Sequence, residues 1–206
     1  MPFTTTAQDQ ALDALNGGTP SSIIAYASLH TAYSATGANE LTGGSPAYAR
    51  EAVTWSAASA GSKASSSVAA AFNVPASTSV AFVGLWSAAT AGTFAGMGPN
   101  DAGTTYAFTA TLASPGVFTA PGSSYTNGQT VVVFPGAGAT LPTGVTAGTV
   151  YYIVSASGAT FELSATSGGS GINLSAAGAG IVQAVTLEAF GAQGTFTLSS
   201  ETLSLF

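Results

Sequence analysis

One histidine, eight acids and two cations carry almost all the ionisable chemistry of this 206-residue chain. A catalytic or metal-bound imidazole needs partners that converge on it in space. The acids nearest to His30 in sequence are Glu40 and Glu51. A facing carboxylate pair of that kind is the minimum for glycoside hydrolysis, and sequence alone leaves it open. Such pairs usually sit among aromatic, Asn, Asp and Arg side chains, and of these Asp and Arg are scarce here. The simpler expectation is that His30 is a ring at a strand end, satisfied by a hydrogen bond. Arg50 lies between Tyr48 and Trp55 and is expected to form a structural ion pair with Glu40 or Glu51.

The remaining polar motifs also have plain readings. Asp9 and Asp13 are four apart and read as the solvated face of a helix. Pro99-Asn100-Asp101-Ala102-Gly103 lacks the spaced oxygen series of a calcium loop and reads as a turn. Gly168-Gly169-Ser170-Gly171 is followed by no lysine and opens no helix, so it is not a phosphate loop. Serine is abundant, but nothing resembles the strand–turn–helix elbow of a serine nucleophile. The absence of cysteine excludes disulfides, thiolate metal sites and thiol catalysis. The expectation is therefore no catalytic, cofactor-binding or metal-binding residue, and no cofactor.

Composition limits the partners. Ala 41, Thr 28, Ser 26 and Gly 26 supply well over half of the chain, and charged residues are 5%, against about 25% in ordinary domains. Arg50 and Lys63 are too few for the several phosphate contacts that nucleic-acid binding requires. They are equally too few for a basic patch on an anionic membrane. No uninterrupted apolar run is long enough for a transmembrane helix, and the N-terminus does not read as a secretory signal. Neither nucleic acid nor membrane is an expected partner.

The elements that would position these residues are mostly strands. A short helix is predicted over Ala7–Leu15, capped by Thr5 or Thr6 and stopped by Asn16-Gly17-Gly18. After Pro20 the apolar period becomes two. Ile23 to His30, Ala49 to Trp55, Val68 to Val74 and Val80 to Trp86 read as strands, with Gly and Ser clusters at 42–45, 59–67 and 90–98 between them. Trp55, Trp86, Tyr26, Tyr48, Phe72 and Phe82 could form a ligand strip, but at strand spacing they read as core. Val53, Trp55, Phe72, Phe82, Leu85 and Trp86 are the expected core of this region.

The pattern shifts near Thr109. Turn signals at Pro115-Gly116, Pro121-Gly122, Asn127-Gly128 and Pro135-Gly136 bracket short runs at Gln129–Phe134, Thr149–Val154, Thr160–Ser164 and Asn173-Leu174. Larger apolar residues return at Gly194–Leu198 and Thr202–Phe206. The reading is all-β: an antiparallel β-sandwich or jelly-roll-like domain over 1–109 plus 186–206, with the short N-terminal helix, and a small β module inserted at 110–185.

Three segments carry a resemblance. They are Leu29-His30-Thr31, then Thr36-Gly37-Ala38-Asn39-Glu40 through Gly43-Gly44-Ser45-Pro46-Ala47-Tyr48-Ala49-Arg50, then Val53-Thr54-Trp55. Followed by Gly84-Leu85-Trp86-Ser87-Ala88 and a closing Glu188–Leu198 segment, they resemble a family of phage virion proteins labelled tail fiber or minor tail proteins. Thr140–Val154 with Phe161–Thr166 is similar to a β module that recurs inside phage tail and fiber proteins. The resemblance implies a non-enzymatic virion structural protein, with other virion proteins and copies of itself as partners. A minor tail or tail fiber component that forms a homo-oligomer is the expected role. Capsid decoration, or a module that binds host-envelope glycan, is the alternative. Ala buries little apolar surface, so neighbouring subunits could supply burial that the chain lacks.

Overall fold

A computed structural model describes residues 24–56, 62–68, 71–101, 103–199 and 202–204. The helix expected over Ala7–Leu15 lies outside them. Within them the protein is all-β, without a helix, and its strand pairs are antiparallel. The strands in chain order are β1 (Tyr26–His30), β2 (Glu51–Trp55), β3 (Ser62–Val68), β4 (Phe72–Val74), β5 (Thr78–Val80), β6 (Phe82–Trp86) and β7 (Phe94–Pro99). Next come β8 (Tyr106–Ala110), β9 (Phe118–Thr119), β10 (Thr130–Phe134), β11 (Val150–Ser157), β12 (Thr160–Ser164) and β13 (Gly178–Ala184). The last three are β14 (Glu188–Phe190), β15 (Gly194–Phe196) and β16 (Thr202–Ser204). The chain divides into two compact units, Met1–Gly98 with Glu188–Phe206, and Pro99–Leu187.

The first unit contains a six-stranded sheet in the order β16-β3-β2-β1-β6-β7 and two ribbons, β14-β5 and β15-β4. The returning strands β14, β15 and β16 pair in turn with β5, β4 and β3, so the end of the chain retraces its earlier part in reverse. Alternation sorts the side chains of each strand onto two faces. Ala27 and Leu29 of β1, Val53 of β2, and Val83 and Leu85 of β6 join Phe72 and Val74 of β4, Val80 of β5 and Phe196 of β15 in one buried cluster. Each Leu, Val or Phe fully buried there contributes about 1.5–3 kcal/mol. The alternate residues of β1 and β6, Ser28, His30 and Trp86, therefore occupy the opposite face.

Two sequence expectations shift in this unit. The run read from Val68 to Val74 is divided between β3 and β4, and the run from Val80 to Trp86 between β5 and β6. The Ser/Gly-rich stretches read as separators, 59–67 and 90–98, hold most of β3 and β7. Their small residues give no periodic apolar signal, yet the backbone ladder accepts them. Trp55 is half-buried, whereas Val53, Phe72, Phe82, Leu85 and Trp86 are buried.

The second unit is a closed barrel in the order β10-β11-β12-β9-β8-β13. Its interior is filled by Phe108, Phe118, Val131, Val133, Ile153, Phe161, Leu163 and Val182. Phe118 stacks on Phe161 at 5.8 Å between ring centroids, and Tyr125 meets Phe161 edge-on at 5.4 Å. The barrel takes in β8 from Tyr106, ahead of the composition shift at Thr109. Asn173-Leu174, expected as a short strand, is not one. Leu174 N donates to Ala113 O and Ile172 N to Leu163 O, so this segment crosses between loops and strand ends instead of extending a ladder. β13, made of Gly-Ala-Gly-Ile-Val-Gln-Ala, carried no legible strand signal.

Candidate functional site

Ser28, His30 and Trp86 of the first unit converge on the sheet face opposite the apolar cluster. Ser28 and His30 are two apart on β1, share that face, and are fully buried. Trp86 Nε1 donates to Ser28 Oγ at 2.9 Å, Ser28 Oγ donates to His30 Nε2 at 2.7 Å, and His30 Nδ1 donates to Ala38 O at 2.9 Å. An indole N–H can only donate and a carbonyl can only accept, so these roles follow from the two ends of the chain and assign the Nδ1–H tautomer to His30. Burial is the main influence on the ring and holds its pKa below the usual histidine value of 6.5. The Arg50 charge acts in the same direction, while the Ala38 hydrogen bond and the Glu40 charge act against both.

Two glycines make room for this chain. Gly84 lies directly across the β1–β6 ladder from Ser28, and a Cβ there would sit 2.5 Å from both Ser28 Oγ and His30 Nε2. Gly37, at φ +80°, leaves space that a Cβ would fill against the Trp86 ring. The loop after β1 then turns back along the strand. Thr31 N donates to Asn39 O at 3.1 Å, Leu41 N donates to Leu29 O at 3.0 Å, and His30 and Glu40 form an isolated bridge.

That return brings Glu40 to Arg50. Nε donates to Oε1 at 2.8 Å and Nη2 to Oε2 at 2.7 Å, a two-pronged pair whose side chains are 10% and 18% exposed for Arg50 and Glu40. The sequence left Glu40 and Glu51 open as partners, and these contacts are with Glu40. Arg50 Nη1 also donates to Ala88 O at 3.1 Å and to Ala91 O at 2.7 Å. The guanidinium lies 3.5 Å from the centroid of the Trp86 ring, in cation–π contact. Tyr48 Oη accepts from Leu29 N at 2.8 Å and donates to Glu40 Oε1 at 3.3 Å, and burial raises its pKa. One ion pair thus ties the loop after β1, the start of β2 and the exposed 89–93 loop to a buried indole.

The arrangement holds structure and offers little to a substrate. Ser28 and His30 have no solvent access, and both oxygens of Glu40 are engaged. Glu51 follows Arg50 directly, and partial burial raises its pKa. No group of three metal-ligating side chains occurs among the described residues. Phe72 and Phe82 are fully buried, so the six aromatics do not form one exposed strip. Asp9 and Asp13 lie outside the described residues. The Gly168–Gly171 segment is a loop after β12, with Gly168 at φ +65°.

Asn100 and Asp101 form the root of the barrel unit. Thr186 N donates to Asn100 O at 2.8 Å, and Asn100 Nδ2 donates to Thr186 O at 3.2 Å. Asp101 Oδ1 accepts from Gly103 N, and its Oδ2 accepts from Thr186 Oγ1 at 3.0 Å. Its oxygens tie the chain to itself where it leaves and returns.

Reading the residues singly missed Ser28, Gly37, Ala38 and Gly84 as members of the first network. Ser28 carried a usable signal, two positions from His30 on a strand. Gly84 carried none, since its part is the absence of a side chain.

The described residues are all-β, and Arg50, Glu40 and Asp101 are engaged in contacts within the chain. The chain belongs to the family described as Podophage GP4 fiber I protein gp80, whose sequence model matches residues 2–115. This is a family of phage fiber proteins, components of the virion, and the matched stretch contains every member of the Trp86–Ser28–His30–Ala38 and Arg50–Glu40 networks. Comparisons with curated proteins and with solved structures find no match.

Proposed function

We propose that this chain is a non-enzymatic minor tail or tail fiber component that forms a homo-oligomer and binds other virion proteins. The observation that carries this reading is the use of Arg50 and Glu40. The Arg50–Glu40 pair is placed against a buried aromatic and holds three backbone segments together. A chain with 5% charged residues that spends them this way is suited to fixed contacts, and its Ala-, Ser- and Thr-rich strands to close approach of neighbours.

Counting copies per purified particle by quantitative mass spectrometry tests this reading, together with antibody labelling in electron micrographs. A small fixed number with label on the tail is expected. Hundreds of copies at capsid positions would replace the tail reading with capsid decoration. Binding of the purified protein on a glycan array would add a host-envelope ligand. Hydrolysis of a cell-wall polymer, lost in Glu40→Gln or Glu51→Gln, would overturn the non-enzymatic reading.

A further inference from the structure

We propose that His30 is a proton-operated latch, in which protonation of Nε2 breaks the hydrogen-bond chain from Trp86 to Ala38 and releases the 31–40 loop and the Arg50 platform. The geometry supplies the coupling. In the neutral ring each nitrogen has one partner of the right kind, Ser28 Oγ–H for Nε2 and Ala38 O for Nδ1. A second ring proton turns Nε2 into a donor aimed at a hydroxyl that already donates to it. The Ser28 hydrogen must then find another acceptor in a place closed to water, while Trp86 Nε1–H keeps the other side of Oγ occupied. The ring cannot slide away across the sheet, because it and Ser28 already fill the space that Gly84 leaves open.

The cost is felt beyond the ring. Trp86 is the surface on which the Arg50 guanidinium rests, and Arg50 holds the carbonyls of Ala88 and Ala91. Ala38 belongs to the loop that delivers Glu40 to Arg50. Loosening either end of the chain therefore loosens both partners of the ion pair.

The titratable and charged groups turned towards His30 are few. Glu40, at the end of its loop, favours the proton, and Arg50, before β2, opposes it. The Tyr48 hydroxyl reaches it only through Glu40. β6 and β7 present Gly84, Trp86 and Phe94, none of which carries a charge. Burial outweighs Glu40, and the folded protein favours the neutral ring. The unfolded chain binds the proton more readily, so this contribution to stability is complete above the ordinary value of 6.5 and is lost as pH falls below it.

The test uses the full chain, whose single histidine makes its ring resonances unambiguous. Nitrogen-15 NMR of the wild type is expected to show a neutral Nδ1–H tautomer at neutral pH, with a titration midpoint below that of a free histidine. The melting temperature of the transition reported by Trp55 and Trp86, followed by tryptophan fluorescence, is expected to fall by several degrees between about pH 7.5 and about pH 5. In His30→Gln that pH dependence is expected to shrink to less than half. Any of four results would overturn the latch: an Nε2–H tautomer, a midpoint at or above the ordinary histidine value, a flat wild-type melting temperature, or a full pH slope in His30→Gln. The first three need only the wild type, so a variant that fails to fold does not shield the proposal.

Discussion

Arg50 satisfies four acceptors and an aromatic face from one planar fork, which a lysine ammonium cannot copy. Arg50→Ala leaves Glu40 half-buried without its partner and is expected to cost about 2–4 kcal/mol, slightly under the figure for fully buried pairs because both side chains keep some exposure. Arg50→Lys should recover only a minor part. Urea unfolding at neutral pH, followed by tryptophan fluorescence, measures both. Gly84→Ala is expected to cost about 1–3 kcal/mol in the same experiment, since its methyl group would collide with Ser28 Oγ and His30 Nε2. An unchanged midpoint in Gly84→Ala would show that the β1–β6 face has room for a methyl group between Ser28 and His30. The sequence made His30 a hydrogen-bonded strand-end ring and Arg50 half of an ion pair, because scarce ionisable groups in an apolar context have few alternatives. It did not show that the two belong to one assembly, because their link runs through the Ala38 carbonyl, the Trp86 ring and the missing Gly84 side chain.

Strands were legible where large apolar residues alternate and obscure where small ones do. β2, β6, β10 and β12 each carry Leu, Val, Trp or Phe at period two, β1 has Ala27 and Leu29 on its inner face, and the spacing places all five within a few residues. β3, β7 and β13 are built largely of Ser, Ala and Gly, and composition alone made them look like connections. What makes them strands is the partner across the ladder: β8 for β13, with Phe108 opposite Gly180, and β2 for β3. The two buried clusters share no residue, which sets an expectation at this level. Phe161→Ala removes a ring packed against Phe118 and Tyr125 and is expected to cost the barrel about 3–5 kcal/mol. Trp86→Ala should cost the first unit a similar amount. In differential scanning calorimetry, each substitution should move a different transition, and a single transition shifted equally by both would contradict this.

For the whole molecule, the barrel is read as an insertion between β7 and β14. Asn100 and Thr186 exchange backbone and side-chain hydrogen bonds, so the ends of the inserted stretch already lie side by side. Deleting 101–185 and joining Asn100 to Thr186 is expected to leave a soluble protein that keeps the tryptophan-reporting transition. Insoluble aggregate alone would place the barrel in the core of the fold. β8 resembles the strands before it in composition and differs in its partners, β9 and β13.

The root formed by Asn100, Asp101 and Thr186 has a mechanical consequence. A unit whose two ends leave together is pulled at a single point, with its strand ladders outside the path of the force. Once tension reaches that unit, the few hydrogen bonds of the root are loaded ahead of the β8–β13 ladder, whose paired residues begin beyond them. That release frees only the short segments between the root and the first paired residues of the ladder, Tyr106 and Val182, while the six strands remain closed. Optical-tweezer traces of the full chain should therefore show a small, low-force release before the larger barrel event. Thr186→Ala, which removes the hydroxyl bonded to Asp101 Oδ2, should lower the force of that first step alone.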